Sequence, residues 1–238
     1  MPPRFLVQGG RPLAGTVRPA GNKNAALPIL AATLLADGPV VLSNVPKIRD
    51  VEMMIALLVD LGAAIDWTGP NSVTVDTRAV VSKPLDAHLC AKIRASILLA
   101  APLLARFGEV KLPPPGGDVI GRRRVDTHFL ALEALGATVM VGDRYEIDAK
   151  RLRGADVFLD EPSVTGTENA LMAAVKAEGT TVLRNAAAEP HVQDLARMLV
   201  LMGAEIEGIG VLRNPVISWQ EGHGTPPLPR VRPWGEGV

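Results

Sequence analysis

Apolar stretches alternate with glycine-marked breaks along this chain, and the pattern recurs three times. LPILAATLLADGPVVLSNV, ASILLAAPLLARFGEVKLPPP and ALMAAVKAEGTTVLRNA each read as an alanine- and leucine-rich helix, a turn glycine and a short β-branched run. Their turn glycines are Gly38, Gly108 and Gly179. Further on, LVDLGAAIDW, LEALGATVMV and LVLMGAEIEG each close an apolar helix on a glycine and restart as a strand. Gly62, Gly136 and Gly203 sit where a helix end favours positive φ. The unit is therefore helix, turn, strand, loop, helix, glycine stop, strand, repeated about every 70 residues. Alanine-rich helices allow close backbone approach. The expected fold class is α/β, with three repeated βα units, buried helices and outer sheets that are parallel or mixed.

The pattern also predicts the flanking elements. A short strand is expected at 5–8 and a second run ending at Val17. Helices are expected over 51–61, 129–135 and 192–202, and strands over 40–45, 63–67, 72–76, 138–141, 145–148 and 156–160. Thr68-Gly69-Pro70-Asn71 marks a turn between two of them. After Gly210 the periodicity stops. Five prolines and four glycines in the last 28 residues read as an extended or disordered tail. Three segments follow: N-terminal strands in 1–20, the three-repeat body in 21–210, and an atypical tail in 211–238.

Candidate chemistry concentrates in the loop 111–128, KLPPPGGDVIGRRRVDTH. Prolines and glycines stop regular structure, and then come Asp118, three arginines (Arg122, Arg123, Arg124), Asp126 and His128. Gly38 to Gly62 and Gly179 to Gly203 are equally spaced, whereas Gly108 to Gly136 is four residues longer. The repeat grows only in its most charged loop, which argues for function there. A guanidinium cluster beside an acid suits a phosphorylated substrate. Lys23 at a predicted helix start, with Asn24 as the expected cap, opposes the helix dipole unless an anion binds between them. Arg94 opens an apolar helix, where it either reaches solvent or faces an anion. Glu161-Pro162-Ser163-Val164 precede another helix, and the small hydroxyl residues there suit phosphate or ribose. A plain N-cap with a capping glutamate explains that stretch equally well.

Composition narrows the rest. Twenty-five basic and twenty-five acidic residues give zero net charge, and aromatics are 3%, which argues against nucleic-acid and membrane-surface binding. The longest apolar run contains Pro102 and is too short to span a bilayer. The single cysteine, Cys90, fits a reducing compartment and a buried structural role, and with no targeting signal the expectation is cytoplasmic. Zinc-ligand spacing, a P-loop and a nucleophile elbow are all missing from the sequence.

GNKNAALPILAATLLADGPVVLSNVP, the IRAS segment, PGGDVIGRRRVDTH and RNAAAEPHVQDLARMLVLMGAEIEG together resemble the UDP-N-acetylglucosamine enolpyruvyl transferase family, in family order, over about residues 4–210. The resemblance implies transfer of the enolpyruvyl group of phosphoenolpyruvate to the 3′-hydroxyl of UDP-N-acetylglucosamine, with release of phosphate. This opens peptidoglycan synthesis and so serves cell wall biogenesis, cell shape and division. It implies addition–elimination through a tetrahedral intermediate, with no cofactor, no metal and no obligate protein partner. Residue by residue, it assigns Lys23, Asn24 and Arg123 to phosphoenolpyruvate. Arg94, Arg123, Arg124, Val125, Asp126, Thr127, Glu161, Pro162, Ser163 and Val164 fall to the UDP-sugar. Asp118 becomes the proton donor, and Glu189 matches an acid whose role stays open.

Two departures from the family pattern stand out. The proton donor is usually cysteine, and here it is Asp118; a carboxylate attacks epoxides poorly, so fosfomycin resistance is expected. The chain also resembles only the first of two similar domains. The other supplies the aspartate that deprotonates the sugar and normally packs on residues 1–20. The tail after Gly210 matches nothing in the family, and a reading-frame shift would produce such an end. Two alternatives remain. One is the related 3-phosphoshikimate 1-carboxyvinyltransferase, which should carry a different lysine motif. The other is a non-catalytic fragment that binds a UDP-sugar.

Overall fold

The computed structural model describes residues 4–10, 12, 14–17, 19–117, 124–210, 216–218 and 230–231. The first repeat contains α1 (Lys23–Ala32), β1 (Val40–Leu42), α2 (Arg49–Asp60), β2 (Ala64–Gly69) and β3 (Ser72–Asp76). The second contains α3 (Ala87–Cys90), a 3-10 turn at Arg94–Leu99, α4 (Ala100–Phe107), β4 (Glu109–Leu112), α5 (Asp126–Ala134), β5 (Thr138–Val141) and β6 (Tyr145–Asp148). The third contains β7 (Asp156–Phe158), α6 (Val164–Ala174), β8 (Thr180–Arg184), α7 (Pro190–Leu201) and β9 (Glu205–Glu207). Two short strands follow, β10 (Val216–Ser218) and β11 (Arg230–Val231).

The expected α/β architecture is the observed one. α1 is buried from Ala25 to its end and α6 from Gly166 to its end. α4 buries its first five residues, Ala100 to Leu104. α4 and α1 both pack on α6, while α2 and α7 flank α1 and α5 flanks α6. Small side chains on these helices permit that packing. Gly62, Gly136 and Gly203 take φ of 109°, 96° and 103°, the left-handed turn the pattern required of them.

The three sheets repeat one scheme. Strands run in the orders β1-β3-β2, β4-β6-β5 and β8-β10-β9, with antiparallel neighbours throughout. Among the described strands, parallel pairing is confined to the additions β11 on β1 and β7 on β8. The sheets are therefore mixed, and tight turns at 70–71 and 142–144 make the antiparallel hairpins.

Two expectations change here. β10 lies in the segment read as a disordered tail, yet it occupies the place of β3 and β6 and completes the third sheet, with Ile217 fully buried. Three residues after a proline are too few for a periodic signal, and only the two flanking strands make Val216–Ser218 a strand. Conversely, residues 5–8 form no strand. Phe5, Leu6 and Val7 are 95%, 99% and 87% exposed. Their β propensity finds no partner edge among the described residues, and a lone strand has no hydrogen bonds to hold it.

Candidate active site

A cleft of about 640 Å³ opens where the N-terminal ends of α1 and α6 meet the 3-10 turn. Lys23, Asn24, Arg94, Arg124, Glu161, Ser163 and Val164, all singled out in the sequence, line it. Lys92, Asp50, Thr165, Glu168 and His191 complete the polar lining.

Each side chain is placed by a local device. Asn22 rather than Asn24 caps α1, its side chain accepting from the Asn24 N–H at 2.8 Å. Asn24 is thereby left to face the cleft. Lys23 reaches across to Asp50 at 2.7 Å, a half-exposed pair that an incoming anion can break at a cost of about 1 kcal/mol or less. Arg94 donates to the backbone oxygen of Arg124 at 2.8 Å, which ties the turn to the end of the charged loop. Arg124 forks onto Asp126 at 2.6 Å and onto Asp160. Thr127 donates to Asp160 at 2.8 Å and, with Arg124, holds that carboxyl below the usual range.

The charged loop is anchored at both ends. The N–H groups of Gly116 and Gly117 donate to the carbonyls of Cys90 and Ala91 at 3.0 and 3.2 Å. Gly116 approaches so closely that a Cβ would stand 1.8 Å from the Ala91 oxygen, so the glycine is required there. Gly117 and Arg124, at the two ends of 118–123, both line the cleft. Asp118 and Arg123 lie outside the described residues. Val125, Asp126, Thr127 and Pro162 do not line the cleft. Asp126 and Thr127 act through Arg124 and Asp160, and Val125 packs on the core.

Ser163 caps α6, accepting from the Gly166 N–H at 3.2 Å. The N–H groups of the first turn lack intrahelical acceptors and suit an anion. The capping-glutamate reading of this stretch is not met. Glu168 lies five positions into α6, 1% exposed, and its Oε1 has no hydrogen-bond partner among the described residues. Burial, and then the charge of Glu189, push its carboxyl up to about 9.

Behind the cleft a buried polar network joins the second and third repeats. Asn169 of α6 accepts from the Ala101 N–H at 3.2 Å and donates to the Ile97 oxygen at 2.9 Å and to His128 Nδ1 at 2.7 Å. Because Nδ1 accepts, the neutral ring carries its proton on Nε2, facing the Thr165 hydroxyl at 3.2 Å. Burial, and then the Arg94 charge, lower the His128 pKa to about 4, which suits this neutral state. Sequence reading placed His128 in the charged loop without a role and singled out neither Asn169 nor Glu168. Their signal was polar residues within strongly apolar helices. Cys90 is buried as expected, and burial pushes its thiol up to about 11, away from nucleophilic use. Among the described residues no His/Cys/Asp/Glu cluster could hold a metal ion.

Residues 7–222 match the model of the EPSP synthase (3-phosphoshikimate 1-carboxyvinyltransferase) family. The chain belongs to that family. The match extends past Gly210, where the sequence motifs ended, and covers β10. Among family relatives, the UDP-N-acetylglucosamine 1-carboxyvinyltransferase of Bradyrhizobium diazoefficiens is 62% identical over 209 residues, covering 88% of this chain and 48% of that protein. The enzyme of the same name from Treponema denticola is 52% identical over 206 residues, covering 87% and 48%. The chain thus spans about half the length of these relatives. The crystal structure of the enolpyruvyl transferase NikO from Streptomyces tendae superposes with a TM-score of 0.77 at 25% identity, covering 89% of this chain and 50% of that one.

Proposed function

We propose that the cleft binds UDP-N-acetylglucosamine and phosphoenolpyruvate and forms one wall of the active site of a UDP-N-acetylglucosamine 1-carboxyvinyltransferase. The observation that carries this reading is the convergence of Lys23, Asn24, Arg94, Arg124 and the capped start of α6 on one cleft. Four cations, counting Lys92, meet two anionic substrates there. Arg94 and Arg124 suit the diphosphate, and Lys23 with Asn24 suits phosphoenolpyruvate. Asp118, next in sequence after the cleft-lining Gly117, is the residue we assign to deliver a proton to the methylene carbon of phosphoenolpyruvate. The 3′-oxygen of the sugar then bonds to the adjacent carbon as its hydroxyl proton passes to a base, the aspartate that the family resemblance assigns to the second domain, giving a tetrahedral intermediate. Loss of phosphate, with return of the proton, restores the vinyl group on the sugar. The shikimate alternative is less favoured, because the relatives at 62% and 52% identity carry the UDP-sugar name.

The test is phosphate release from phosphoenolpyruvate plus UDP-N-acetylglucosamine by the 238-residue chain, with the Asp118→Ala chain beside it. Release by the parent chain and none by the variant would support the transferase reading with Asp118 as its acid. Equal release from both would remove Asp118 as the acid. The fact that the chain spans half of its relatives favours a second reading, a UDP-sugar-binding wall that does not turn over alone. Nucleotide binding by calorimetry without any phosphate release would leave that reading. We place the activity in the cytoplasm, and no described helix is long and apolar enough to cross a membrane.

Fosfomycin gives an independent check. The chain's only cysteine is Cys90, and that thiol is buried with its pKa raised to about 11. With aspartate as proton donor, incubation with fosfomycin and UDP-N-acetylglucosamine should leave the intact mass unchanged. A stable adduct on Asp118 would overturn this.

A further inference from the structure

Glu168 is a buried ionisable group at the cleft that no part of the mechanism above uses. It stands in the second turn of α6 and lines the cleft, yet it is 1% exposed and its Oε1 is unpartnered among the described residues. An ionised carboxylate in that position would be desolvated and unpaired, which is strongly unfavourable. The charged groups around the cleft do not relieve it. Lys23 is held by Asp50 at 2.7 Å, and Arg124 is held by Asp126 at 2.6 Å and by Asp160. Arg94 is turned to the Arg124 carbonyl, and the neighbouring Glu189 repels a negative charge. Lys92, Glu161 and His191 line the same cleft without bonding to Glu168. The favoured state is the neutral acid, which carries an O–H donor. Burial raises its pKa to about 9, in agreement with that state.

We propose that Glu168 is a substrate-binding residue that donates a hydrogen bond, as a neutral carboxylic acid, to an oxyanion of the small phosphorylated substrate. A cleft gathering cations for anionic ligands gains a donor at Glu168 without gaining a negative charge. An arriving anion stabilises the protonated form further, so ligand and proton reinforce one another. This rests on the reading that the cleft takes phosphoenolpyruvate, and the test separates the two.

Difference infrared spectroscopy on the full chain reads the carboxylic C=O stretch directly. At neutral pH a band present in the parent chain should be missing in Glu168→Gln, and it should move to lower frequency when phosphoenolpyruvate is added with UDP-N-acetylglucosamine. Inorganic phosphate alone distinguishes a phosphoryl from a carboxylate contact. In calorimetry Glu168→Gln, which keeps a donor, should bind phosphoenolpyruvate nearly as the parent does, whereas Glu168→Leu should lose roughly tenfold or more. A parent chain without the Glu168 band overturns the neutral acid whatever binds. Binding with an unmoved band, or parent-like binding by Glu168→Leu, overturns the contact and leaves the cleft's ligand intact. A band with no binding by either substrate overturns both the contact and the ligand reading.

Discussion

Asn169→Ala is expected to lower the free energy of unfolding by roughly 4 kcal/mol, read as an earlier denaturant midpoint with an unchanged slope. The side chain uses one oxygen and both amide hydrogens in a site with no exposure. Alanine would strand three groups at once: the Ala101 N–H, the Ile97 carbonyl and His128 Nδ1. Each is away from water, and an orphaned buried group costs about 1–3 kcal/mol. The loss would fall on the contact between α6 and the turn that carries Arg94. Nucleotide affinity should therefore fall as well. A variant with the parent's midpoint would show that water or rearrangement replaces the network.

Glu168→Gln is expected to do the opposite, raising stability by up to about 3 kcal/mol at pH 7. The sign follows from the proton count. Below pH 4.5 the carboxyl is protonated in both the unfolded and folded states. Between 4.5 and about 9 the unfolded chain releases its proton and the folded chain keeps it. The folded state binds more protons there, so stability falls by about 1.4 kcal/mol per pH unit and levels off near the folded pKa. Glutamine keeps the shape and removes the titration. The parent and variant should match in acid and separate steadily as pH rises. Equal stability at pH 5 and pH 8 would mean that Glu168 is ionised in the fold.

Much of the architecture was readable in advance because it rests on local rules. Helix-period apolar runs ending at Gly62, Gly136 and Gly203 define the repeats, and positive φ at those glycines follows from helix termination. Strands such as Thr138–Val141 and Tyr145–Asp148 announced themselves by β-branched or aromatic residues around a turn. β10 did not, since three residues carry no period. The strand expected at 5–8 failed for the complementary reason, since a propensity for extension needs an edge to pair with.

The candidate site divides in the same way. The cleft-lining set of Lys23, Asn24, Arg94, Arg124 and Ser163 was legible because charges and caps at helix starts are local signals. Asp126 and Thr127 were legible as polar but not as supports, because their partner Asp160 is distant in sequence. Glu168 was not singled out, and only the start of α6 at Val164 turns it inward.

The sequence by itself determined the threefold repeat, the helix ends and which residues carry charge into the cleft. These depend on neighbours a few positions apart. Tertiary structure alone decided that Asn22 rather than Asn24 caps α1, that Val216–Ser218 closes the third sheet, and that His128 and Asn169 join two repeats. It also decided that Glu168 stands dehydrated at the cleft. Burial and long-range pairing set those outcomes, since a side chain's protonation and partners depend on what distant segments place around it.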